Sequence, residues 1–126
     1  MHALLIISHG SRRAQSNDEV VQLCQLVSEH VEGDFDLVRA AFLELASPSI
    51  PEGIKRCVDD GAECVTIVPY FLAAGRHVAE DIPSIVNAAR VEFPETMLSI
   101  APHLGAFEGM ARMLAEVARA QGGGRD

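Results

Sequence analysis

Four short apolar runs, at 3–7, 35–43, 63–68 and 97–100, are each followed by a stretch whose apolar residues recur at helical spacing. No other feature constrains the fold of this 126-residue chain as strongly. Strands that alternate with helices need crossover connections, and these are right-handed when they return to the same sheet. The pattern therefore predicts an α/β domain with a mainly parallel four-stranded sheet and helices on both of its faces. Asp36 and Arg39 make the second run less wholly buried than the first. Asn17 or Asp18 is expected to cap a first helix running to Val31. Ser49, followed by Pro51, suits the start of a second helix that stops at Gly61. Pro83 belongs in the first turn of a third helix reaching Phe93, with room for one earlier turn at 77–81. A final alanine-rich helix is expected at 106–120. Residues 1–121 are read as a single domain and 122–126, Gly-Gly-Gly-Arg-Asp, as a flexible tail.

Charge and composition exclude whole classes of partner. A net charge of -8 leaves no basic face for nucleic acid. No apolar run approaches the ~20 residues of a membrane-spanning helix. The N-terminus runs directly into a strand without a basic leader, which predicts a cytoplasmic protein. Cys24, Cys57 and Cys64 are odd in number and lack metal or redox spacing, so they are expected to be small buried thiols in a reducing compartment.

The chemistry is expected where strands end. Parallel strands place all their carboxyl ends on one side, and ligands bind beyond that rim. His9, Glu44, His77 and His103 each follow one of the four runs. Two neutral imidazoles suit Co(II), Ni(II) or Fe(II), and a nearby carboxylate adds a hard ligand or a proton acceptor. His9 and His77 lie beside Gly10 and Gly75, and we expect them to face one another across one pocket. Glu44, in an apolar neighbourhood, is read as a half-buried proton acceptor rather than a carboxylate turned out to water. Glu80 and Asp81 could pass a cation inward or simply complement a helix dipole. His103 is expected to be structural, and His2 and His30 to face solvent. Arg12, Arg13 and Arg76 are the nearest cations, and in so acidic a chain they point to a ligand carrying carboxylates.

His-Gly-Ser-Arg at 9–12, Phe-Leu-Glu at 42–44 with Pro-Ser-Ile at 48–50, and Val-Pro-Tyr-Phe-Leu-Ala-Ala-Gly-Arg-His-Val-Ala-Glu-Asp-Ile-Pro at 68–83 together resemble the CbiX-type class II chelatases. The resemblance covers the chain up to its final helix, and the long loop motif is its most specific part. It implies a chelatase-like, flavodoxin-like three-layer sandwich. It implies ATP-independent insertion of a divalent metal, Co2+ first and Ni2+ or Fe2+ as alternatives, into sirohydrochlorin, a carboxylate-rich tetrapyrrole. It implies no tightly bound cofactor, the metal being a substrate, and a homodimer with the cleft at the interface. By resemblance His9 and His77 contact the metal and, with Glu44, handle protons. Ser11, Arg12, Arg13, Tyr70, Phe71, Leu72, Ala73, Ala74, Gly75 and Arg76 meet the macrocycle and its carboxylates. Two other readings of the same residues stand beside this one. A metal or tetrapyrrole carrier needs the same rim without turnover. A histidine-dependent phosphoryl-transfer enzyme needs an arginine where this chain has Ser8.

Overall fold

In the computed structural model, which describes residues 1–122 with the side chain of His77 outside the described set, the strands and helices alternate as predicted. Strands β1 (His2–Ser8), β2 (Leu37–Phe42), β3 (Cys64–Pro69) and β4 (Met97–Ile100) form one sheet in the order β2-β1-β3-β4. All three pairings are parallel. Helices α1 (Ala14–His30), α2 (Ile50–Asp59), α3 (Ile82–Glu92) and α4 (Met110–Gly122) connect and follow them. A π-helical turn (His77–Asp81) leads into α3, and a 3-10 turn (Leu104–Ala106) precedes α4.

Strand periodicity divides β1 between two cores, since successive side chains point to opposite faces. Ala3, Leu5 and Ile7 are fully buried under α2 and α3, against Ile54, Cys57, Ile82 and Val86. Leu4 and Ile6 face the other way, toward Cys24 and Val27 of α1. Close approach of α2 to the sheet depends on Gly53. A Cβ there would stand 2.8 Å from the Cβ of Ala41. Helix α2 begins as its sequence predicts. The Ser49 side chain accepts from the Glu52 N–H and the Glu52 carboxylate accepts from the Ser49 N–H, a reciprocal capping box. Hydrogen bonding of the Glu52 carboxyl to the Ser49 N–H, and then to the Ser49 side chain, holds it below its usual pKa.

The two faces are unequally covered. On the side of α1, strand β4 leaves Met97 exposed at 68%, because none of the described helices lies over that half of the sheet. The three-layer arrangement is therefore complete over β2 and β1 and thin over β3 and β4.

Several expected boundaries move for local reasons. The second strand is shorter than 35–43, because Phe35 turns its ring onto His2, with centroids 4.4 Å apart. His2 is thereby half-buried rather than solvent-facing, with its Nε2 2.9 Å from the Thr66 hydroxyl. The first helix starts at Ala14 with Arg13 as its cap residue, and Asn17 is not the cap. The final helix begins at Met110 rather than at 106, after the 3-10 turn and Phe107. It runs through Gly122, so the expected tail loses its first residue to the helix; 123–126 lie outside the described residues. Cys24 and Cys57 are buried free thiols as expected, whereas Cys64 is only half-buried. Burial pushes the Cys24 pKa up to about 11, which keeps that thiol protonated and unreactive.

Candidate active site

The chain leaves β1 toward β2 on one side and later returns to β3 on the other, so the switch point of this sheet lies at the carboxyl ends of β1 and β3. His9 is the first residue past β1 and Glu44 the second past β2. The backbone ladder between these strands continues beyond their formal ends. The Leu43 N–H donates to the Ser8 carbonyl at 2.9 Å, and the Glu44 N–H to the His9 carbonyl at 3.0 Å. Register thus brings the two side chains together, and His9 Nε2 lies 2.9 Å from Glu44 Oε2.

Three backbone features hold this pair in place. Gly10 has φ +96, and a Cβ there would fall 1.7 Å from the Glu44 carbonyl oxygen, so only glycine allows the two turns to pack. Leu45 adopts φ 65, turning the chain away immediately after the carboxylate. Asn17, one turn into α1, clamps the loop from the far side. Its Oδ1 accepts from the Ser11 N–H at 3.0 Å and its Nδ2 donates to the Ser11 carbonyl at 2.8 Å. Sequence reading missed this clamp. Its signal is an asparagine six residues after Ser11, and only the folded loop turns that spacing into contact.

The expectation of a half-buried Glu44 is not met. Its side chain is 52% exposed and that of His9 44%, because the turn at Leu45 carries the carboxylate past the apolar strand to the rim. Its role follows from the pairing instead. An imidazole and a carboxylate in hydrogen-bond contact are a pair of groups that can carry protons or meet a cation at the rim.

The rest of the predicted set is spread along the same rim. Ser11 accepts from the Arg13 N–H through its hydroxyl at 3.0 Å, while Arg12 and Arg13 are exposed at the start of α1. The loop after β3 keeps Tyr70 in the ladder, its N–H donating to the Ile7 carbonyl at 2.7 Å. Its apolar trio then divides. Phe71 packs back onto the main core, Tyr70 turns toward the α1 side, and Leu72 is 72% exposed. Ala73, Ala74, Gly75 and Arg76 are all exposed. Arg76 pairs with Glu80 across one turn at 3.8 Å, with both side chains open to water. His77 opens the π-helical turn, and its expected approach to His9 concerns a side chain outside the described set. His103 is half-buried beside the 3-10 turn, its carbonyl accepting from the Ala106 N–H at 2.9 Å. Among the described residues, no three His, Cys, Asp or Glu side chains converge to hold a metal ion. No described helix is long and apolar enough to cross a membrane.

A parallel α/β sheet with a histidine–carboxylate pair at its rim is a domain of the class that binds ligands beyond the carboxyl ends of its strands. A family model described as CbiX matches residues 3–121, and the chain belongs to the CbiX family. It is 37% identical over 102 residues to the chloroplastic sirohydrochlorin ferrochelatase of Arabidopsis thaliana, covering 81% of this chain and 44% of that protein. It is 32% identical over 116 residues to the sirohydrochlorin cobaltochelatase of Sulfurisphaera tokodaii, covering 92% and 90%. Among solved structures, SirB from Bacillus subtilis with Fe3+ superposes with a TM-score of 0.83 at 26% identity, covering 96% of this chain and 47% of SirB. The chain therefore spans about half the length of the longer relatives it matches.

Proposed function

We propose that this protein inserts a divalent metal into sirohydrochlorin or a closely similar tetrapyrrole, without ATP, as a homodimer. The observation that carries this reading is the His9–Glu44 pair, held at 2.9 Å on the sheet rim beside the Tyr70–Arg76 loop. The names of the relatives supply the substrate class, and they include both cobalt and iron chelatases. Co2+ is our first choice of metal, with Fe2+ and Ni2+ as alternatives.

Metallation exchanges two pyrrole protons for one cation, so the site must accept protons while the metal sheds water. His9 takes a proton or contacts the metal, and Glu44 balances the charge that appears on the ring. By its place in the loop motif His77 supplies the second metal contact. Leu72 and the small residues after it lie along the flat macrocycle. Arg12, Arg13 and Arg76 meet its carboxylates.

The test follows the visible absorbance of sirohydrochlorin with Co2+, Fe2+ or Ni2+, in each case against metal and tetrapyrrole alone. Turnover is expected, with His9→Ala reducing kcat by about 10²–10⁴-fold. Glu44→Gln, which keeps a hydrogen bond but removes the charge, is expected to lose less. Stoichiometric binding without turnover would make the protein a carrier, and undiminished activity in His9→Ala would overturn the assigned site.

A further inference from the structure

Leu45 is held in a backbone conformation that its residue type avoids. Its φ of 65 lies in the left-handed region, where a bulky side chain crowds its own backbone and glycine or asparagine is the usual occupant. The turn itself has a cause, because Gly10 packs on the Glu44 carbonyl oxygen 1.7 Å from where a Cβ would stand. That packing accounts for the backbone, but not for a leucine. The core does not account for it either. Leu43 packs against the main apolar cluster, whereas Leu45 joins neither cluster and is 53% exposed. An apolar side chain kept in a costly conformation and left in water points to a use outside the fold.

Its place on the rim says what that use is. Strands β2 and β3 flank β1, and Leu45 and Leu72 are each the third residue past their strand, after Phe42 and Pro69. Register sets those two strand ends almost level, since Phe42 pairs with Ser8 and Pro69 with Ile7. Leu72 is likewise open to water. Neighbouring strands lie ~4.8 Å apart, so β2 and β3 are separated by about 10 Å, comparable to the breadth of a tetrapyrrole ring. His9 stands between the two leucines in strand order, with Glu44 turned onto it.

The structure assigns Leu45 to substrate binding: its side chain supports the apolar face of the tetrapyrrole on the β2 side of His9, opposite Leu72 on the β3 side. This rests on the tetrapyrrole reading proposed above and adds a contact to it. A macrocycle whose charges lie at its periphery has two apolar faces, and water leaves one face and both leucines when the ring settles on the rim. Arginines at the periphery fix where the ring lies in its plane, and contact with the face fixes its height above His9. Two supports on either side of His9 hold a flat ring level. With Leu72 alone it could tip toward β2, carrying its nitrogens away from the pair. The tight turn helps, because it presents the leucine from a backbone with little freedom left to lose on binding.

The test uses sirohydrochlorin in two measurements, both followed by visible absorbance: binding without metal, and metallation with Co2+. Leu45→Asn is the informative variant, because asparagine is close to leucine in size, tolerates the left-handed region and removes the apolar surface. It is expected to weaken binding and raise KM about 5–10-fold, to lower kcat less than it raises KM, and to melt no lower than wild type. Leu45→Met, which restores an apolar contact, is expected to bind within about twofold of wild type. Wild-type affinity in Leu45→Asn, with turnover intact, overturns the assignment and leaves the chelatase reading standing. A lower melting temperature with unchanged binding makes Leu45 a residue of the fold, and also overturns it. So does a change of mass by light scattering in Leu45→Asn, since a second copy would then be what covers the leucine. A wild-type protein that neither binds nor metallates sirohydrochlorin overturns the function itself and the leucine support together.

Discussion

Asn17 illustrates how one side chain can shape a site it does not enter. Its amide donates to and accepts from the backbone of Ser11, doing for the His9 loop what a neighbouring strand does for a ladder. Asn17→Ala removes both bonds and leaves two backbone groups to find water, at a cost of about 1–2 kcal/mol. The expected outcome is a lower urea midpoint with an unchanged m-value, together with a fall in kcat as the His9–Glu44 geometry loosens. An unchanged midpoint would show that the loop holds itself. His9 and Glu44 were legible because a polar residue at the end of a buried parallel strand has few places to go. The exposure of Glu44 was not legible, because it depends on a left-handed turn at Leu45 in a sequence without glycine there. The clamp was hidden for a related reason. Asn17 looked like a helix cap, and only a loop conformation set by Gly10 brings Ser11 within its reach.

At the scale of elements, the best-read segment is α2, where local chemistry and tertiary packing agree. Serine, proline and glutamate in the first turn announce its start, and the capping box forms as those residues require. Gly53 is the one residue that breaks the local rule, since glycine inside a helix costs about 1 kcal/mol relative to alanine. Packing explains it. The added methyl group of Gly53→Ala would meet Ala41 at 2.8 Å and Leu5 at 3.3 Å, both in the buried core. Overpacking of this kind typically costs about 1–3 kcal/mol, which outweighs the gain in helix propensity. We expect a net loss of about 1 kcal/mol, seen as a lower melting temperature; a raised one would mean that α2 lifts from the sheet freely. The turn at His77–Asp81 was anticipated but its π-helical form was not, and the late start of α4 escaped sequence reading. Each depends on how a loop meets its neighbours, and hydrophobic spacing does not carry that information.

For the molecule as a whole, alternation of strand and helix was enough to predict a parallel α/β sheet. Strand order was a different matter, because β1 can flow to either side and periodicity is blind to the choice. The uneven covering of the two faces was also invisible in advance. Helix α4 has the same kind of apolar stripe as the others, and nothing in its spacing says that it stands away from its own sheet.

The order β2-β1-β3-β4 also bears on how the chain acquires its structure. Of these four strands the one synthesised before the others, β1, becomes an inner one, and it gains β3 as a neighbour only once the polypeptide has reached Pro69. Until then one edge of β1 has only solvent for company, and the sheet cannot close in the order in which it is synthesised. Contacts so distant in sequence slow folding, and they tie β1 to the most global of opening events. In native-state hydrogen exchange, the amides of Leu5 to Ile7 should be the last to give up protection, at the free energy of complete unfolding. Earlier exchange there than in α2 would mean that the centre of the sheet opens on its own.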